Sequence, residues 1–278
     1  MDLFWASIHR PTGRIGHVCL VVPAPGRTAS VFVSVTDEPA SGTVDEQIDE
    51  RAAVIDAACR SIAQMMPERV DLAQALPEPE EASAVAAFER GGFSRIGRLS
   101  YMLLSDPRGV APPGSGPPEG IVVRNVHGVD AGGSDRGLLI EALDRSYEQT
   151  LDCPELCGMR RTEDVLESHL HSGQFDPSLW WLVFQDGRAE GCMLFGVFRE
   201  QSSAELVYVG LSPALRGRGL GEWLLRMALG RVSRAVGPRG TVTCAVDERN
   251  EPAAGLYRRL GFAQIAQRVA LVRPMTGG

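Results

Sequence analysis

The residues of this chain best suited to chemistry lie together at Arg216-Gly217-Arg218-Gly219-Leu220-Gly221. An apolar run with Leu206, Val207, Val209 and Leu211 precedes them and ends at Ser212-Pro213. An amphipathic stretch follows, with Leu220, Trp223, Leu224, Met227 and Leu229 at helical spacing. A strand, a glycine turn and a helix start together make an anion site. The glycines let the backbone approach a ligand, and the helix N-terminus offers unpaired N–H groups at the positive end of its dipole. This is not the nucleotide P-loop, because Glu222-Trp223 follows Gly221 where Lys-Ser/Thr is required. Nor is it the dinucleotide fingerprint: Asp247 closes the next strand as a ribose-binding acid would, but Gly217, Gly219 and Gly221 simply alternate.

Charge points the same way. From Pro213 to Arg239 there are six arginines against one acid, Glu222. That window of +5 sits in a chain of net charge −7, which leaves −12 for the remainder. A cationic patch in an acidic protein suits a polyanionic small molecule better than nucleic acid, which favours a basic surface overall. All 28 basic residues are arginine. The six cysteines (Cys19, Cys59, Cys153, Cys157, Cys192, Cys244) include no Cys-x-x-Cys pair and no zinc spacing, so free thiols and no metal are expected.

Arg216-x-x-Gly219-x-Gly221 resembles the R/Q-x-x-G-x-G/A motif of the GNAT superfamily of acetyl-coenzyme A-dependent acetyltransferases. Downstream, the stretch from Asn250 to Phe262, with Ala253, Tyr257 and Gly261 between, is similar to that family's N-x-x-A-x-x-x-Y-x-x-x-G-F signature. The resemblance covers roughly residues 120–275. It implies that the backbone of Arg216, Gly217, Arg218, Gly219, Leu220 and Gly221 holds the pyrophosphate of coenzyme A. It also implies that the preceding strand splays from its neighbour, so that Val209, Gly210 and Leu211 pair with the pantetheine chain, and that Asn250 and Tyr257 face the thioester.

Acetyl transfer to an amine requires an unprotonated nitrogen, a stabilised oxyanion and a protonated leaving thiolate. A lysine-like amine has a pKa near 10.4, so a base or a water relay must take its proton. Glu205, a carboxylate on an otherwise apolar strand eleven residues before Arg216, resembles the catalytic glutamate of the superfamily's histone acetyltransferases. Tyr257 is the candidate acid for the thiolate. A backbone N–H around Gly210 or Leu211 would hold the oxyanion. The loop from Tyr147 to Arg161 is expected on the acceptor side, with Asp152 and Glu155 for a cationic acceptor and Arg160 and Arg161 for an acidic group on it.

These residues need elements to place them. The pattern predicts strand 121–126, helices 136–149 and 162–172, strands 179–185, 190–198 and 203–211, helix 219–235, strand 240–246, helix 250–260 and strand 262–273. Residues 106–120, rich in proline and glycine, read as a linker between domains 1–105 and 121–278. The first part repeats the second. Residues 87–93 align with 256–262 at an offset of 169; residues 16–22 align with 191–197, and 29–33 with 204–208, at 175. Ser30 then stands where Glu205 does, and Phe88 where Tyr257 does. Asp37, Glu38, Asp45, Glu46, Asp49 and Glu50 replace the glycine turn and would repel a pyrophosphate.

The expected fold is therefore α/β: two GNAT-like domains with mixed, mostly antiparallel sheets, the first a degenerate copy and the second catalytic. The expected function is N-acetyl transfer from acetyl-CoA to a small-molecule primary amine, with no nucleic-acid, membrane or metal partner. The alternative is a non-catalytic acyl-CoA-binding or regulatory protein. No apolar run approaches a membrane span and Met1-Asp2-Leu3-Phe4-Trp5 lacks a signal-peptide form, so a soluble cytoplasmic protein is expected.

Overall fold

A computed structural model describes residues 3–9, 13–34, 43–130 and 132–275. Of the acidic residues noted above, Asp37 and Glu38 lie outside the described residues. The chain divides into two compact units: residues 1–99 with 158–160 and 267–278, and residues 100–157 with 161–266.

Unit 1 contains β1 (Phe4–His9), β2 (Ile15–Ala24), β3 (Thr28–Val33), α1 (Val44–Met65), β4 (Leu72–Ala75) and α2 (Ala82–Arg90). β1, β2 and β3 are antiparallel neighbours, and β4 joins parallel to β3. One sheet face packs Cys19, Val21, Ala29 and Val31 against Ile55, Ala58 and Ile62 of α1. The other face carries Trp5 and Phe32, 68 % and 56 % exposed, on either side of Leu20 in cross-strand register.

Unit 2 contains β6 (Ile121–Asn125), α3 (Arg136–Tyr147), α4 (Thr162–Leu170), β7 (Gln174–Gln185), β8 (Arg188–Phe198), β9 (Ser203–Leu211), α5 (Leu220–Val236), β10 (Thr241–Asp247) and α6 (Glu251–Arg259). Its strands run in the order β10-β9-β8-β7-β6, antiparallel except for the β9–β10 pair. The sheet is thus mixed and mostly antiparallel. One layer packs α5 and α6 on Phe195, Ala204, Leu206 and Val242. The other packs α3 and α4 on Trp180, Leu182, Cys192 and Leu194.

The division falls inside β5 (Ser94–Leu104) and β11 (Ala263–Pro274) and differs from the sequence-based one. Residues 106–120 group with unit 2, because Trp223 Nε1 donates to the Ser115 carbonyl (2.9 Å) and Arg226 to that of Ala111. Residues 267–278 group with unit 1, where Leu271–Pro274 pair with β4 and Arg273 donates to Asp56 and to the Gly91 carbonyl.

The internal repeat is visible in register. In unit 1 the parallel ladder pairs Thr28↔Leu72, Ala29↔Ala73 and Ser30↔Gln74; in unit 2 it pairs Ser203↔Thr241, Ala204↔Val242 and Glu205↔Thr243. These are the same positions under the offsets of 175 and 169 residues. α2 and α6 coincide at both ends under the second offset. The β8–β9 ladder, however, shifts register between Leu194 and Phe195, leaving Val207 as an extra residue, whereas β2–β3 runs without a shift.

Candidate active site

The bulge at Val207 decides which side chains meet. Strand alternation would place Tyr208 with Ala204 and Leu206, beneath α5. The extra residue instead puts both Val207 and Tyr208 on the α3–α4 face, the face Glu205 shares, and returns Val209 and Leu211 to the α5 side. The β9–β10 ladder ends two residues before the bulge, at Glu205↔Thr243. Val209, Gly210 and Leu211 lie beyond that last pair.

Three features of the turn that follows β9 suit an anion. Gly217 and Gly219 have φ of +71° and +75°, a left-handed backbone that glycine adopts without strain. A Cβ built at either would meet nothing within 4 Å, so the surface over the turn is open. Gly219 caps α5 without any side-chain hydrogen bond, leaving the first amides of the helix to a ligand. Leu220 contributes backbone alone, since its side chain is buried in the core.

Arg216 is placed differently from a phosphate ligand. Its Nε donates to the Leu211 carbonyl, Nη1 to Gln149 and Nη2 to Ser146, each at 2.9 Å. The guanidinium therefore clasps the end of β9 to the end of α3. Arg218 is exposed on the turn. Asn250 caps α6, its Oδ1 accepting from the Ala253 amide at 3.3 Å, and so orients the helix that carries Tyr257.

Glu205 accepts a hydrogen bond from Ser172 Oγ at 3.0 Å. Ser172 comes that close because Gly196, opposite Glu205 on β8, has no Cβ; one would overlap the Ser172 carbonyl. Tyr257 is 4 % exposed and tilts against Phe262, with ring centroids 5.5 Å apart. Burial raises its pKa well above that of a free phenol, and the neighbouring Cys244 and Asp152 add to this. Burial, with Glu205 and Asp152 adding to it, likewise pushes the Cys244 thiol up to about 12. A thiol so held is a poor nucleophile at neutral pH.

Sequence reasoning missed an aromatic cluster. The Tyr208 hydroxyl lies 2.7 Å from Ser146 Oγ, its ring stacks on His169 (5.5 Å between centroids), and Tyr147 meets it edge-on at 5.7 Å. Only the bulge brings Tyr208 here, and nothing in the residue pattern announces it. The loop expected on the acceptor side is pinned to the end of β10. Cys153 N–H donates to Asp247 Oδ2 (3.1 Å), and Asp247 N–H to Asp152 Oδ1 (2.8 Å). Burial opposes ionisation of Asp247, but hydrogen bonds from Arg249 and the Cys153 amide outweigh it and lower its pKa. Glu155 is paired with Arg249 at 2.6 Å, Arg161 with Asp164, and Arg160 donates to the Gly26 carbonyl. Of the four loop residues proposed to meet an acceptor, Asp152 alone keeps its charge unmatched by an ion pair or backbone acceptor among the described residues. No group of three or more His, Cys, Asp or Glu among the described residues is arranged to hold a metal. No described helix is long and apolar enough to cross a membrane.

The site thus combines a mixed sheet, whose parallel β9–β10 pairing stops at Glu205↔Thr243, with a glycine turn at the start of α5. Residues 143–262 match the model of the acetyltransferase (GNAT) family. Among curated relatives, the mycothiol acetyltransferase of Beutenbergia cavernae is 38 % identical over 95 residues, 33 % of this chain and 31 % of the relative. That of Catenulispora acidiphila is 28 % identical over 189 residues, 66 % of this chain and 55 % of the relative. The chain thus spans between about a third and about half of these relatives' lengths. Among solved structures, a GCN5-related N-acetyltransferase from Sphaerobacter thermophilus superposes with a TM-score of 0.64 at 20 % identity, covering 99 % of this chain and 82 % of that one. A tandem GNAT protein from the clavulanic acid biosynthesis pathway gives 0.57 at 17 %, covering 100 % and 84 %. At these identities the two structures speak for the fold.

Proposed function

We propose that the protein transfers an acetyl group from acetyl-CoA to a primary amine on a small molecule, using unit 2 alone. The observation that carries this is the combination of a β9–β10 ladder that stops at Glu205↔Thr243 with the uncapped start of α5 behind two left-handed glycines. The amides of Gly217 to Gly221 hold the pyrophosphate, and Val209, Gly210 and Leu211 offer backbone groups to the pantetheine arm. The bound thioester supplies the activated acetyl group. Glu205 takes a proton from the acceptor ammonium so that the neutral nitrogen can form the new C–N bond. A backbone N–H at Gly210 or Leu211 stabilises the carbonyl oxygen as the C–S bond breaks. Tyr257 protonates the sulfur, and the second amine proton leaves to solvent. The balance is an ammonium and a thioester giving an amide, a thiol and a proton.

Unit 1 serves as a degenerate copy in this reading. The helix equivalent to α5 is α1, and a capping box closes its N-terminus: Thr43 N–H donates to Glu46 (2.6 Å) and Glu46 N–H to Thr43 Oγ (3.2 Å). Asp45 and Glu46 then sit in its first turn, where a phosphate would have to bind. The names of the curated relatives support acetyl transfer as the reaction class.

The test is Glu205→Gln. Coenzyme A affinity should hold within about twofold while kcat falls roughly 10²–10⁴-fold, and the deficit should shrink as pH rises and more amine is already neutral. Wild-type rates across about pH 6–9 would remove Glu205 as the base and leave ordered water.

A further inference from the structure

β1 is the edge of the unit 1 sheet and pairs, among the described residues, with β2 alone. Its residues, Phe4-Trp5-Ala6-Ser7-Ile8-His9, include no Lys, Arg, Asp, Glu or Pro, the residues that commonly keep an edge strand from pairing. Its bulge falls at the far end, between Ile8 and His9. The ladder shows which backbone groups the edge offers. Val18 engages Ser34, on the β3 side, through both its N–H (3.1 Å) and its C=O (2.9 Å). Backbone groups alternate sides along an antiparallel strand, so Cys19 turns toward β1 and its partner there, Ala6. Ala6 then faces β2, and Trp5 and Ser7 hold their N–H and C=O groups toward the open edge.

Unit 2 shows what such an edge accepts. Under the offset of 175 residues Trp5 falls on Trp180, and each stands opposite a leucine in its ladder, Leu20 and Leu194. The Trp180 carbonyl accepts from the Val126 amide (3.1 Å), just past the antiparallel strand β6 that covers this edge of β7. With β6 beside it and α3 and α4 above it, Trp180 is 1 % exposed. Trp5, on the same edge of unit 1, is 68 % exposed, and Leu3 before it 57 %.

We propose that β1 is a self-association surface: two copies of this chain pair their β1 strands antiparallel about a two-fold axis, with Trp5 opposite Trp5. That register sets Ser7 opposite Leu3, makes about six main-chain hydrogen bonds from groups already turned outward, and stays clear of the bulge. It is self-complementary, as a two-fold axis requires, so assembly closes at the dimer. Both indoles lie on one face of the joined sheet as a cross-strand aromatic pair. A tryptophan bares up to about 250 Å², so Trp5 at 68 % exposure brings roughly 170 Å² from each copy. With Leu3 and the flanks of two six-residue strands the total stays below about 1,200 Å², the size of a dimer that dissociates readily, here at roughly 1–100 µM.

Sedimentation velocity of the full chain tests this. Wild type is expected to pass from monomer to dimer across roughly 1–300 µM. Trp5→Glu sets two carboxylates against each other and should weaken the dimer at least about 30-fold. Phe32→Ser, on β3 and so two strands in from the edge, should change it less than about threefold. Circular dichroism checks that each variant keeps its fold. Trp5→Cys, made with Cys157→Ser to remove the exposed native thiol, should oxidise to a disulfide-linked dimer, because directly opposed Cα atoms about 5.5 Å apart suit that bond. This cross-link decides the matter if Trp5→Glu does not fold. A wild type that stays monomeric throughout overturns the proposal, as does assembly that grows past the dimer. A dimer indifferent to a folded Trp5→Glu, an equal loss in Phe32→Ser, or no cross-link through Trp5→Cys overturns it too.

Discussion

Replacing Arg216 by alanine separates two roles that its place in the motif confuses. Its three N–H···O=C bonds, each 2.9 Å, end on Leu211, Ser146 and Gln149. The bond to Gln149 is exposed, and water can replace it at little cost. The other two are part-buried. Hydrogen bonds from a charged donor are worth about 1.5–3 kcal/mol each, and their partial exposure reduces that to roughly 1–1.5. Arg216→Ala should therefore destabilise the ligand-free protein by about 2–3 kcal/mol. At roughly 2–4 °C per kcal/mol for a unit of this size, the transition of unit 2 should fall by about 4–12 °C. Arg216→Lys should recover less than half of this, because a single ammonium cannot span three carbonyls. Calorimetric unfolding without ligand reads the loss directly, and coenzyme A titration at two salt concentrations completes the comparison. A direct ion pair with the pyrophosphate would show the opposite pattern: ligand-free stability within about 0.5 kcal/mol of wild type, and an affinity loss that depends steeply on salt. That result would refute the clasp.

Three further outcomes are expected. Tyr257→Phe should keep stability within about 1 kcal/mol, since Phe88 occupies the equivalent place in unit 1, and should slow turnover; unchanged kcat would remove Tyr257 as the acid. Gly210→Ala should destabilise by about 1–3 kcal/mol, because the new methyl would lie 2.7 Å from Ser146 Oγ and press on the Tyr208 hydroxyl; a neutral result by urea unfolding would contradict that packing. Arg124→Gln tests a pH effect: Arg124 holds Asp135 below the ordinary aspartate pKa through bonds of 2.6 and 2.9 Å. A depressed carboxylate stabilises above its unfolded pKa of about 3.9 and loses that contribution as pH falls through the folded value. The stability gap to wild type should thus be constant above about pH 5 and narrow progressively as pH falls below about 4, and a gap that does not narrow on acidification would contradict this.

How far the chain could be read without coordinates depended on whether a feature is local. The glycine turn, β9 and α6 follow from residue type and periodicity, and α6 begins and ends within a residue of its expected bounds. The repeat at two offsets was readable because both copies keep their small apolar strand residues, and the ladders match position for position. What escaped depends on distant partners. The bulge at Val207 arises where β8 and β9 lose register, and it alone brings Tyr208 to His169. Arg216 looks like a phosphate ligand in sequence, yet carbonyls 67 and 70 residues away engage it. Asn250 reads as a cofactor contact by family position, and its side chain caps a helix. The end of β11 groups with unit 1 through Arg273, whose partner Asp56 lies 217 residues away.

The central claim, one coenzyme A site on the turn of unit 2, is tested most directly by isothermal titration calorimetry of coenzyme A into the whole chain and into Gly219→Val. Valine is β-branched and Gly219 sits at φ +75°, so the variant must distort the turn that exposes the helix amides. The account predicts one site per chain in wild type and no measurable binding in the variant. Two equivalent sites, or binding that survives the substitution, would contradict it.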